Sequence, residues 1–215
     1  MEFEFSERLQ NLPPYLFIEI DKAKRKARRE GRDLIDLGVG DPDEPTPEHI
    51  IDKLCQASKD PDNHKYALDQ GMPRLRQAIA DWYKARFNVI LDPETEILPL
   101  IGSKEGISHM PLAFINSGNY VLAPDPGYPP YRGSTILADG EVFSMPLLAE
   151  NSFLPDFKDI PLKIKKQAKL MFINYPNNPT GAIANKEFYL KAIDFGFKHN
   201  TIIANDAAYT EMSYD

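Results

Sequence analysis

Lys169-Leu-Met-Phe-Ile-Asn-Tyr-Pro-Asn-Asn-Pro-Thr-Gly181, followed by Thr201-Ile-Ile-Ala-Asn-Asp206, decides the fold class. Past its first residue, each segment is an unbroken apolar run too short for a helix and ends in polar or turn-forming residues. An apolar run without alternation is what a strand needs when both of its faces are covered. Between the two runs, Lys186–His199 has the spacing of an amphipathic helix. Working outward, strand-like runs occur at Glu96–Ile101, Tyr120–Ala123, Glu141–Met145, Leu170–Asn174 and Thr201–Asn205, with helical stretches between several of them. Strands alternating with helices predict an α/β fold: a mainly parallel sheet with flanking helices.

The N-terminal part reads differently. Residues Tyr15–Arg29 carry Leu16, Ile20, Ala23 and Ala27 on one helical face, and Gly31 stands where the helix ends. The basic run in that helix, from Lys22 to Arg29, reads as a solvated face rather than an anion patch, because the chain as a whole carries a net charge of −7. Leu34–Leu37 reads as a short strand before a loop stiffened by Pro42, Pro45 and Pro47. Thr46 and Pro47 then suit the N-cap and first position of a helix. Pro73 opens another, with Leu75, Ile79, Trp82 and Tyr83 expected on its buried side. We expect an arm and helix over residues 1–33 and a larger domain over residues 34–215.

Composition narrows the functional classes. Hydrophobic residues make up 42% and charged residues 27%, as in a globular protein. The acidic balance argues against nucleic acid as a partner. No run approaches a bilayer span, so no membrane association is expected. The four histidines are scattered without metal-ligand spacing, so no metal site is expected. Cys55 is the only cysteine, and the N-terminus has no secretory pattern, which makes the cytoplasm the expected location. Gly38-Val-Gly40 lacks the third glycine of a dinucleotide fingerprint, and prolines follow where a helix would have to start.

Three segments fall where an open α/β sheet binds ligands, at the C-terminal ends of strands. Ile101-Gly-Ser-Lys-Glu-Gly106 follows a strand-like run and opens a helix, so its N–H groups can hold a phosphate; an ordinary strand-to-helix turn is the alternative. Asn174–Gly181 is a polar turn directly after a buried strand. Asp206 ends another buried strand; alone, it also suits a helix N-cap.

Taken together with Gly38-Val-Gly-Asp-Pro42, Tyr66 ahead of Gly71-Met-Pro-Arg-Leu-Arg-Gln-Ala-Ile79, and Asp125-Pro-Gly-Tyr-Pro-Pro-Tyr131, these segments resemble the class I/II aminotransferases in identity and order. Leu12-Pro-Pro-Tyr-Leu-Phe-Ile-Glu-Ile20 and the Asp125–Tyr131 stretch look most like the LL-diaminopimelate aminotransferase branch. The resemblance implies the large domain of a fold type I transferase dependent on pyridoxal 5'-phosphate (PLP). Asp206 would pair with the pyridine nitrogen, Asn178 and Tyr209 with the phenolic oxygen, and Tyr128 would stack on the ring. Ser103 and Lys104 would hold the phosphate, and Tyr66 would reach the phosphate of a neighbouring subunit in a homodimer. Tyr15, Gly40, Lys104, Tyr128 and Asn178 would contact the substrates, an amino acid and a 2-oxo acid; LL-diaminopimelate with 2-oxoglutarate is the leading pair. An alanine, aspartate or aromatic aminotransferase is the alternative within the family. The family's Schiff-base lysine and C-terminal small domain are expected beyond Asp215. No lysine in this sequence matches the lysine's context, so none of these residues is expected to act covalently and the 215 residues alone are expected to be inactive. A non-catalytic remnant of the fold is the alternative of a different class.

Overall fold

The computed structural model describes residues 3–14, 16–36, 38, 40, 42, 44–66 and 70–212. The chain divides into two compact units, Phe17–Leu100 and a second formed by Met1–Leu16 with Ile101–Asp215.

The second unit holds the sheet. Its strands are β1 (Tyr120–Asp125), β2 (Glu141–Pro146), β3 (Ala168–Ile173) and β4 (Ile202–Asn205), in the order β2-β1-β3-β4. Every pairing is parallel. The α/β expectation therefore holds, and four of the expected strands are present. Side chains alternate between two core layers. Leu122, Met171 and Ile173 point to one side, where Phe188, Ala192 and Phe195 of the helix Lys186–His199 cover them. Val121, Ala123, Leu170 and Phe172 point to the other, where Ile107 and Tyr131 cover them. Because both faces are covered, β3 is apolar at every position but Lys169, and burying Phe172 completely contributes about 2–3 kcal/mol.

Glu96–Ile101 forms no ladder among the described residues, although a strand was expected there. An extended run becomes a strand only when a neighbour takes its N–H and C=O groups, and Leu98 and Ile101 face outward, 64% and 94% exposed. Residues 34–36 form no strand either, and Leu37 lies outside the described residues. Asp36 instead accepts from the Gly38 N–H at 3.0 Å and pairs with Lys24 at 2.9 Å.

The unit Phe17–Leu100 is helical. We label the helices of the chain α1 (Glu7–Gln10), α2 (Leu16–Arg29), α3 (Glu48–Ala57), α4 (Pro73–Phe87), α5 (Ser103–Phe114), α6 (Pro129–Leu137), α7 (Leu162–Gln167) and α8 (Lys186–His199). The basic face of α2 is laced with acids, including Lys22–Glu19 at 2.8 Å and Arg25–Asp21 at 2.9 Å, as a solvated face is. Helix α3 starts one residue later than expected: Pro47 is the cap and Glu48 the first helical residue, with no side-chain cap bond from Thr46 or Pro47. Helix α4 buries part of the face expected, with Ile79 and Tyr83 half-buried. Leu75 and Trp82 are about half exposed, and the buried residues are Arg76 and Ala80. Arg76 Nε donates to the Pro93 carbonyl at 2.7 Å, Nη1 to the Gly71 carbonyl at 2.6 Å, and Nη2 to both Glu94 carboxylate oxygens at 2.9 Å. A guanidinium satisfied on every side can be buried, and it draws the helix face around it inward.

Candidate active site

The order β2-β1-β3-β4 reverses direction between β1 and β3, since β2 lies on one side of β1 and the later strands on the other. At such a switch point the loops leaving adjacent strands diverge and open a crevice at their C-terminal ends. A cavity of about 140 Å³ lies there, lined by Ser103, Lys104, Ile107, Tyr128, Asn174, Asn178, Asp206, Ala208 and Tyr209. Of the residues singled out in the sequence, Ser103, Lys104, Tyr128, Asn178, Asp206 and Tyr209 thus meet around one space.

Each arrives by a definite local route. Gly102 precedes α5 with φ 80° and ψ 150°, a conformation open essentially to glycine alone. It turns the chain so that α5 begins at Ser103 and Lys104, with its N-terminus at the cavity. Glu105 Oε2 accepts from the Ile101 N–H at 2.7 Å and clamps the turn. Beyond β1, a Cβ on Gly127 would collide with the Pro124 carbonyl oxygen, so only glycine allows the turn that leads into Tyr128. Beyond β3, the Asn177 side chain accepts from the Thr180 N–H at 3.2 Å and its hydroxyl at 2.7 Å, folding Asn-Asn-Pro-Thr-Gly back on itself.

Asn174 and Tyr131 are constituents that sequence reasoning missed. Asn174 is 2% exposed; its Nδ2 donates to the Asp206 carbonyl at 2.8 Å and its Oδ1 accepts from the Asn178 N–H at 2.7 Å. One amide side chain thereby fixes the two loops that carry Asp206 and Asn178. Tyr131 donates its hydroxyl hydrogen to Asp206 Oδ2 at 2.7 Å. Burial first, and then the bond to that carboxylate, hold the Tyr131 phenol far above the ordinary tyrosine range, so it stays a donor at physiological pH. The signal for Tyr131 was present in the Asp125–Tyr131 motif; that for Asn174 was a polar residue closing an apolar run. Asp206 is not the cap of a helix among the described residues. Asn178 Nδ2 and the Tyr209 hydroxyl lie 3.4 Å apart, so both donors face the same region.

Gly40 and Tyr66 are in the unit Phe17–Leu100; Tyr66 is 93% exposed, and no heavy atom lies within 4 Å of where a Cβ on Gly40 would sit. Tyr15 lies outside the described residues. Among the described residues no cluster of histidine, cysteine or carboxylate side chains could hold a metal ion, and no helix is long and apolar enough to cross a membrane.

The family model for aminotransferase class I and II matches residues 32–215. The chain belongs to the class I and II aminotransferase family. PLP is the cofactor of these enzymes. The chain is 54% identical over 212 residues to an LL-diaminopimelate aminotransferase of Halothermothrix orenii, a match that takes in 99% of this chain and 54% of that protein. It is also similar to substrate-bound BacF of Bacillus subtilis, with a TM-score of 0.88 and 40% identity over 95% of this chain and 52% of the other. An alanine aminotransferase of Pyrococcus furiosus gives a TM-score of 0.88 at 28% identity, covering 99% of this chain and 54% of that one. The chain spans about half the length of the curated relatives it matches.

Set beside this membership, the donor set suits PLP. The cavity wall carries one carboxylate for a ring nitrogen, an amide and a phenol for an oxygen, and a helix N-terminus with a lysine for a phosphate.

Proposed function

We propose that the protein transfers an amino group between an amino acid and a 2-oxo acid with PLP as cofactor, and that its leading substrate pair is LL-diaminopimelate with 2-oxoglutarate. The observation that carries the reading is the convergence of Ser103, Lys104, Tyr128, Asn178, Asp206 and Tyr209 on one cavity at the sheet's switch point. The cofactor, when bound, supplies an electron sink for the charge that develops at the amino acid's α-carbon.

The chain's residues divide the remaining work. Asp206 keeps a proton on the ring nitrogen, because a carboxylate beside it favours the charged form. Asn178 and Tyr209 donate to the phenolic oxygen and stabilise negative charge there. Ser103, Lys104 and the N-terminus of α5 hold the phosphate. Tyr128 covers a ring face. Lys104, Tyr128 and Asn178 also meet substrate, with Tyr15 and the Gly40 backbone completing its contacts. We assign none of these residues the covalent role.

In the same reading, residues 1–33 form an arm and helix ahead of a PLP-binding domain from residue 34. The enzyme is a cytoplasmic homodimer, with Tyr66 serving the partner's site. The 54% identity to the H. orenii protein supports LL-diaminopimelate over other donors.

The test is a panel of amino donors offered to the full-length protein with 2-oxoglutarate. Turnover with LL-diaminopimelate above that with alanine, aspartate and aromatic amino acids is expected. Good turnover with aspartate and none with LL-diaminopimelate would sink the substrate assignment. Absence of transamination with every donor would sink the reaction class.

A further inference from the structure

The Asp125–Tyr131 motif contributes two tyrosines, and the proposed function uses only Tyr128. Tyr131 lies in the first turn of α6, behind Pro129 at its start, and is 1% exposed. Its ring stacks on Phe172 of β3 with centroids 4.6 Å apart and planes 14° from parallel. The Tyr128 ring meets it edge-on at 5.7 Å. A ring held this way cannot change rotamer without opening the core layer that contains it, so its hydroxyl is a donor fixed in space. That hydroxyl reaches Asp206 Oδ2 at 2.7 Å.

The backbone of Asp206 is fixed as well. Its N–H donates to the Ile173 carbonyl at 2.8 Å, and its own carbonyl accepts from Asn174 at 2.8 Å. What is left free is the rotation of a short side chain, and a charge-assisted bond from a rigid donor removes it. The carboxylate then stays in the cavity wall beside Asn178 and Tyr209.

We propose that Tyr131 is a positioning residue, whose hydroxyl holds the Asp206 carboxylate in the orientation from which it engages the cofactor's ring nitrogen. The proposal rests on the PLP reading given above. It adds that recognition of the ring depends on a buried phenol that the cofactor does not touch.

The test is a double-mutant cycle in PLP affinity. The full-length protein is stripped of cofactor, and PLP binding is followed by quenching of protein fluorescence for the wild type, Tyr131→Phe, Asp206→Asn and the double variant. Phenylalanine keeps the ring and its stack on Phe172, so a purely structural role predicts unchanged affinity. We expect Tyr131→Phe to raise the dissociation constant about 10-fold, the size of a hydrogen bond to a charged group. In the Asp206→Asn background the same change is expected to cost less than about 2-fold, because the group it positions is gone. Urea midpoints of the four cofactor-free proteins establish that each is folded. Wild-type affinity in Tyr131→Phe, with affinity lost in Asp206→Asn, overturns the proposal and leaves the cofactor reading standing. An equal loss from Tyr131→Phe in both backgrounds overturns it too, because the effect then does not run through Asp206. Wild-type affinity in Asp206→Asn overturns the assignment of Asp206 itself, and the positioning role with it.

Discussion

Arg76 and Asn174 show how much single buried polar side chains organise. Arg76 is 4% exposed and serves the carbonyls of Gly71 and Pro93 as well as the Glu94 carboxylate. Glu94 is 65% exposed, so its charge is screened and the ion pair by itself contributes little. The two carbonyls carry the larger consequence. Arg76→Ala is therefore expected to destabilise the protein by about 2–4 kcal/mol, and Glu94→Gln by less than about 1 kcal/mol, read as shifts in urea midpoint. Equal shifts would mean that the ion pair, not carbonyl satisfaction, matters at this position. Asn174 bridges the loops of Asp206 and Asn178. Asn174→Ala leaves an N–H and a carbonyl without partners, and a loss of about 2–3 kcal/mol is expected, with weakened PLP binding in the full-length protein. Calorimetry for the first and fluorescence titration for the second would measure both. Unchanged PLP affinity in the alanine variant would show that the two loops hold their places without the bridge.

At the scale of elements, α5 and α8 are set by the residues that precede them, by different means. Helix α5 depends on the backbone of Gly102, at φ 80° and ψ 150°. Nothing lies within 4 Å of the position a Cβ would take there, so Gly102→Ala meets no steric clash and its whole penalty is conformational. The expected cost is about 1–3 kcal/mol, or else a shift in the start of α5 that weakens PLP binding. Phosphate protection against thermal unfolding, compared between wild type and variant, separates the two outcomes. Helix α8 depends on a side chain: Asn185 Oδ1 accepts from the Phe188 N–H at 2.9 Å. Phe188, Ala192 and Phe195 of α8 cover one face of the sheet. Asn185→Ala is expected to lower stability by about 1 kcal/mol without changing PLP affinity, since α8 does not line the cavity around Asp206. A change in affinity would mean that the two faces of the sheet are coupled.

At the scale of the molecule, the proposed homodimer makes a prediction that uses two residues of this chain. If Tyr66 serves the partner's site and Asp206 its own, subunits of Tyr66→Phe and Asp206→Asn complement each other. Refolding an equal mixture of the two full-length variants puts one intact site in each hybrid dimer, and activity of about a quarter of wild type is expected from random pairing. Activity no greater than the mean of the two parent variants would assign Tyr66 to its own subunit.

The expectations written from the sequence and the observed fold agree where local composition is enough. The apolar runs of β3 and β4, the glycines and prolines around Gly102, Gly127 and Asn177–Gly181, and the carboxylate closing β4 are each legible alone. They led to an α/β fold and to strand ends as the binding region, while six of the side chains around the cavity came from the resemblance to class I/II aminotransferases. Tertiary structure decided what depends on partners distant in the chain. Glu96–Ile101 has strand composition but forms no ladder among the described residues, because pairing requires a neighbour that composition does not name. The buried face of α4 is chosen by Arg76 because carbonyls from Gly71 and Pro93 meet its guanidinium, which helical periodicity does not report. Likewise Tyr131 and Asp206 stand 75 residues apart in sequence, yet share a 2.7 Å hydrogen bond. The sequence by itself determined which residues have the chemistry for the site. Only packing around the sheet determined which carboxylate the buried phenol faces, since that distance is set by the β1–β3 register and the stack on Phe172.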